Sequence, residues 1–263
     1  AALKAGADTT FSAQEAAEAQ TELAKAGLSV EQIMGGALAG TLSLAAAGGL
    51  DLADAATVSA NALNAFKLSG DQTAHVADLL AAAANKSAAD VSELAPALQQ
   101  SALVAAQMGL TLEETTGGLA AFAQAGLKGS DAGTSFKTFL QRLVPQTEEA
   151  SKAMEAMGLS FFDSNGQFVG LAETAGRLRT ALSGMTDEQR NSTLQTLFGS
   201  DAIRAAAVIY DEGAAGVGKW ISAVDDAGFA SEVATKKLDN LKGDLEALKG
   251  SIETVAIGAG TGT

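Results

Sequence analysis

The sequence has 263 residues and a formal net charge of −14, and it contains one histidine and no cysteine. Without cysteine there is no disulfide framework, thiolate nucleophile or cysteine-based zinc site. An imidazole-based site would depend on His75 alone, and nothing around His75 resembles a nucleophile elbow. The acidic charge disfavours binding to bare nucleic acid, because such binding needs Lys and Arg to neutralise phosphates. We therefore predict no enzyme, no cofactor, no metal site and no small-molecule substrate.

Composition predicts an all-α fold. Hydrophobic residues make up 47% of the chain, enough for a core, and the sequence contains only two prolines. Alanine has the highest intrinsic helix propensity and proline the lowest, so an alanine-rich, proline-poor chain favours helices.

Local signals divide the chain into helices separated by glycines. Capping boxes begin helices at Ser12, Ser29 and Thr111, where the side chain at the start and a Glu or Gln three residues later satisfy free backbone N–H groups. The predicted helices cover residues 12–27, 29–48, 51–66, 71–80, 88–108, 111–126, 130–144, 147–157, 171–182, 187–198, 201–210 and 217–226. Pro96 lies inside one of them, and we expect a kink or a break there.

One segment has a β pattern. Two short apolar runs flank the Asn165-Gly166 pair, which is a strong hairpin signal. We predict one small β-hairpin near residues 160–169.

The last helical pattern is amphipathic and extends from residue 231 to about residue 257. Its apolar positions recur every three or four residues, with charges of both signs between them. They are Leu238, Leu241, Leu245, Leu248 and Ile252. This spacing predicts a long helix, resembling a coiled-coil arm, whose apolar stripe contacts either the domain or a sister chain.

These patterns predict a compact helical core over residues 1–230, with an option of two subdomains divided near residues 145–158. An amphipathic arm over residues 231–257 and a flexible glycine-rich tail over residues 258–263 follow. We expect the sequence to be part of a longer chain.

Two charge-free stretches, residues 32–50 and 94–112, approach the length that spans a bilayer. Their glycines and glutamines favour buried helices of a soluble bundle. A membrane-active helical protein, which helps to open a path for DNA through a host membrane, stays open as the alternative.

A series of short segments follows a recognisable order along the chain, at residues 26–32, 44–54, 61–66, 76–85, 125–134 and 197–203. This ordered series resembles the core domain of phage tail tape-measure proteins of the siphophage type. The resemblance covers nearly the whole chain, and no single segment is diagnostic.

This resemblance implies a structural virion protein that lies in the tail lumen, helps to set tail length during assembly and leaves on DNA ejection. It implies assembly in the host cytoplasm. The implied partners are the tail-tube protein, tail assembly chaperones, tail-tip proteins and sister copies, with a trimer as the expected oligomer. Transient contact with DNA or a host membrane is also implied. Because glycines interrupt the helices, we expect a compact domain here and not the extended ruler.

Overall fold

The computed structural model describes residues 11, 13–237 and 239–240, and within them the chain is helical. The α-helices are α1 (Ala13–Lys25), α2 (Val30–Gln32), α3 (Leu38–Gly48), α4 (Leu52–Phe66), α5 (Thr73–Lys86), α6 (Val91–Gln107), α7 (Leu112–Gln124), α8 (Gly129–Arg142), α9 (Glu148–Ala156), α10 (Leu171–Leu182) and α11 (Asp187–Val224). A π-helical turn (Ile33–Ala37) joins α2 to α3, and a 3-10 turn (Gly70–Gln72) precedes α5. Residues 229–237 form a further helical segment, the C-terminal helix. The all-α prediction is confirmed.

The capping boxes at Ser29 and Thr111 begin helices as predicted. The Ser29 hydroxyl accepts a hydrogen bond from the Gln32 N–H, and the Thr111 hydroxyl accepts one from the Glu114 N–H. Ser12 lies outside the described residues. Three further capping boxes were not predicted, and they begin the 3-10 turn at Ser69, α6 at Asp90 and α11 at Thr186. In the second of them the Glu93 carboxylate accepts the N–H of Asp90.

Two glycines interrupt α11. Gly199 and Gly213 have φ values of 65° and 59°, outside the helical region, so α11 consists of three helical segments. Glycine adopts this left-handed region without a Cβ penalty. The predicted division of residues 187–226 into three helices is therefore confirmed.

Of the kink or break expected at Pro96, the break does not occur, since α6 is helical throughout Val91–Gln107, and the kink stays a prediction. Proline cannot donate a hydrogen bond to the carbonyl four residues earlier. Here that carbonyl belongs to Ser92 and Pro96 is the sixth residue of the helix, so α6 lacks this one bond and is helical nonetheless.

The predicted β-hairpin is wrong, because the described residues contain no β-strand. A single antiparallel bridge joins Phe162 and Phe168. Between them the Asp163 carboxylate accepts the N–H groups of Asn165 and Gln167, both at 2.8 Å. The Gln167 and Asn165 N–H groups hold the pKa of Asp163 below its ordinary value. The aspartate thus organises a tight loop, and the apolar runs beside it are too short for a ladder.

The core is one continuous cluster that extends from α1 to the C-terminal helix. In it α6 packs against α8, α3 packs against α5, and α11 packs against α7, α8 and α10. Glycines let some of these helices approach closely. A Cβ added to Gly133 would collide with the Ala97 carbonyl oxygen, and one added to Gly117 would lie 2.8 Å from the Ile221 Cα.

Candidate interaction surface

The predicted contact stripe lies outside the described residues. Its members are Leu238, Leu241, Leu245, Leu248 and Ile252, and their role as an interaction surface stays a prediction. The division into a core, an arm and a tail also stays a prediction. The structure does describe the residues that lead up to the stripe, and it shows how they are held.

Asp78 of α5 fixes the start of the C-terminal helix. Its carboxylate accepts the N–H of Gly228 at 2.7 Å and the N–H of Ala230 at 2.9 Å. The first N–H groups of a helix have no partner within the helix, and a carboxylate there also interacts favourably with the helix dipole. Asp78 and Ala230 are both buried. A buried carboxylate therefore caps a helix that begins 150 residues later.

Lys86, at the end of α5, holds the turn that precedes the C-terminal helix. Its ammonium group donates to the Asp226 carboxylate at 2.5 Å and to the Ala223 carbonyl at 2.8 Å. It also lies 5.2 Å from the centre of the Phe229 ring. Three contacts from one side chain restrict how the chain passes from α11 into the C-terminal helix.

Lys237 ties the other end of the C-terminal helix to α3. Its ammonium group donates to the Ala47 carbonyl at 2.8 Å. Ala47 lies in the last turn of α3, where carbonyl groups lack intrahelical partners and attract cations. The backbone at Lys237 therefore lies within the reach of a lysine side chain from the end of α3.

An apolar groove of about 450 Å³ lies between α4 and α6. Leu50 and Val58 on one wall and Pro96 and Leu103 on the other are among its lining residues. Leu103 is 61% exposed and lines the groove, so its side chain is open to a partner there. The groove walls carry one charged residue, Asp54.

His75 forms a half-buried pair with Glu113, with 2.6 Å between Nε2 and Oε1. Partial burial opposes ionisation of Glu113, but hydrogen bonds from His75, its own backbone N–H and Thr111 outweigh that effect and lower its pKa. The pair links α5 to α7. Because the His75–Glu113 pair joins two helices, we assign the pair a structural role.

In the part of the chain that the structure describes, no group of three or more His, Cys, Asp or Glu side chains could hold a metal ion. Among the same residues, no single helix is long and apolar enough to span a membrane. One pair of helical stretches, Val30–Gly48 and Leu52–Phe66, meets the length and composition criteria only together, and the two are bent by 119°. Much of their apolar surface, including Leu44 and Leu63, is buried in the core.

The family model described as phage-related minor tail protein matches residues 1–199 of this chain. The chain belongs to this phage tail family. Among its relatives, the tape measure protein of Pneumococcus phage Dp-1 is 41% identical over 257 residues, which is 97% of this chain and 22% of the relative. The probable tape measure protein of Escherichia phage P2 is 34% identical over 256 residues, which is 95% of this chain and 31% of the relative. No solved structure matches.

This member of the phage tail family thus spans between a fifth and a third of the length of those relatives. The resemblance stated from the sequence is confirmed. The roles of Asp78, Lys86 and Lys237 as anchors were not predicted from the sequence. No local signal could have done so, because the partners of each lie 137 or more residues away.

Proposed function

We propose that this chain is a folded domain of a phage tail tape-measure protein, with a structural and not a catalytic role. The observation that carries the proposal is the 41% identity to the Dp-1 tape measure protein along 97% of this chain. The family match over residues 1–199 supports the same role in the tail.

The domain is not itself the ruler in this proposal. A continuous helix over residues 13–237 would extend about 340 Å at the usual rise per residue. Here uninterrupted helices of at most 17 residues pack side by side, and the longer α11 is interrupted at Gly199 and Gly213. We propose that the extended ruler lies elsewhere in a longer protein, and that this domain holds it in place.

The proposed partners are the tail-tube protein, tail assembly chaperones, tail-tip proteins and two sister copies. The proposed location is the tail lumen, with assembly in the host cytoplasm. Family membership supports contact with other tail proteins in general. The acidic net charge of −14 suits neutral or basic protein partners.

The test is made in the phage that encodes the full protein. Peptides of this chain should be found by mass spectrometry in purified tails, and their absence would overturn the tail role. In-frame deletion of residues 13–237 should abolish tail assembly or leave tails whose length, in electron micrographs, is unchanged. Tails shortened by about 340 Å would mean that the segment measures length as an extended helix.

The non-catalytic role has its own test. Purified cell walls should keep their turbidity when the purified chain is added at high concentration. Turbidity loss that a single carboxylate substitution abolishes would show a peptidoglycan hydrolase and overturn this part of the proposal.

Membrane contact is a second proposal, and the bent pair of helical stretches supports it. Because those helices bury apolar side chains in the core, membrane insertion would require them to leave it. The chain should then release dye from vesicles only under conditions that unfold it. Release by the folded protein would show that the domain acts on membranes directly.

A further inference from the structure

We propose that the groove between α4 and α6 binds the chain's own C-terminal segment, residues 238–252, through its apolar stripe. This inference is independent of the proposed tail role, since it depends only on the groove, on the end of the described chain and on the sequence that follows.

The C-terminal helix leads to one end of the groove. Lys237 donates to the Ala47 carbonyl, three residues before Leu50, which lines the groove. A Cβ added to Gly48 would lie 2.9 Å from the Val91 Cβ, so α4 and α6 begin close together at this end. We call this end the groove mouth. Lys237 of the C-terminal helix therefore lies near the groove mouth, and the residues that follow it start from there.

The stripe and the groove have similar lengths. As a helix, the stripe from Leu238 to Ile252 would extend about 21 Å, and the groove wall from Leu50 to Ala65 extends about 22 Å. Both helices begin at the groove mouth, so Leu103 and Ala65 lie towards the far end. Leu238 would enter at the mouth, and Ile252 would reach the region of Leu103.

The groove and the stripe have complementary apolar chemistry. The groove exposes apolar side chains, above all Leu103, and the stripe offers leucine at every third or fourth residue. An amphipathic helix buries such a face in an apolar groove. Asp54 is the single charged residue among those that line the groove, so the groove presents little charge to oppose the mixed charges beside the stripe.

The consequence is a defined exit direction. A chain tied at Asp78, tied again at Lys237 and then laid along the groove leaves the domain near Leu103. Whatever follows residue 252 would start from that point in a fixed direction.

Cross-linking tests the placement. The chain lacks cysteine, so Leu103→Cys with Ile252→Cys introduces a single pair, to be treated with a short bismaleimide at low protein concentration. The control pair is Ser192→Cys with Ile252→Cys, because Ser192 is exposed on α11 and does not line the groove. We expect an intramolecular link in the first pair only. No link, equal links in both pairs, or links only between two chains would each overturn the proposal, and the last would make a second copy the occupant.

Hydrogen exchange gives an independent measurement. Leu103→Asp places a carboxylate in the groove without disturbing the core, because this side chain is already 61% exposed. Amides of residues 241–252 should exchange at least tenfold faster in this variant than in the parent. The control Val144→Asp, at a site 49% exposed on another surface, should leave them unchanged. Equal exchange in the parent and Leu103→Asp would show that the groove does not hold the segment.

Discussion

Replacing Asp78 by alanine should release the C-terminal helix while the rest of the domain stays folded. The substitution removes the acceptor of two N–H groups, those of Gly228 and Ala230, at 2.7 and 2.9 Å. A hydrogen bond to a charged group contributes about 1.5–3 kcal/mol, and removing the buried carboxylate recovers part of its desolvation cost. We expect a net loss of about 2 kcal/mol. The C-terminal helix can detach while the rest of the domain stays folded. The substitution should therefore lower the free energy of detaching this helix more than the free energy of global unfolding.

Hydrogen exchange read by mass spectrometry measures the effect. A loss of 2 kcal/mol corresponds to about 30-fold faster exchange of amides in residues 229–237. Asp78→Asn keeps one acceptor oxygen and should give an intermediate rate. Asp211→Ala, an exposed aspartate of α11, is the control and should match the parent. If Asp78→Ala exchanges like the parent in residues 229–237, these two bonds do not hold the helix and the reasoning fails.

Two further outcomes test the packing and the half-buried ion pair. Gly133→Ala should lower the melting temperature by about 2–8 °C, because the new methyl collides with the Ala97 carbonyl and overpacking outweighs the better helix propensity. The control is Gly218→Ala, because Gly218 is a helical glycine with open space where a Cβ would lie. This variant should have a slightly higher melting temperature. Similar shifts in both variants would contradict the close approach of α6 and α8. The pKa of Glu113 is lower in the folded protein than its ordinary value of 4.5, so the ionised carboxylate stabilises the folded state at pH values above 4.5. This stabilisation is lost as the pH falls through the folded-state pKa. The stability advantage of the parent over Glu113→Gln, from urea unfolding, should therefore shrink on acidification, and an advantage independent of pH would argue against the contact with His75.

Helices and many of their ends could be predicted because their causes are local. The hydroxyl of Thr111 caps α7 through an N–H three residues away, and Gly199 ends the first segment of α11 by its own backbone conformation. Pro96 and the expected hairpin show the limit of this reasoning. Whether a proline breaks a helix depends on the tertiary packing around that helix, and whether two apolar runs form a ladder depends on their length and on the loop between them. In the loop after Phe162, one aspartate side chain accepts two N–H groups, and the runs on either side form a single bridge.

The sequence by itself thus determined the helical class, most helix boundaries and membership of the phage tail family. The tertiary structure alone decided which helices meet, where the groove opens and how the C-terminal helix is held. The bond from Gly228 to Asp78 joins residues 150 apart, and the bond from Lys237 to Ala47 joins residues 190 apart. A helical hydrogen bond joins residues four apart in the sequence, so neighbouring side chains largely determine where helices form. Contacts between distant helices depend on how all the buried faces pack together, and no short stretch of sequence carries that information.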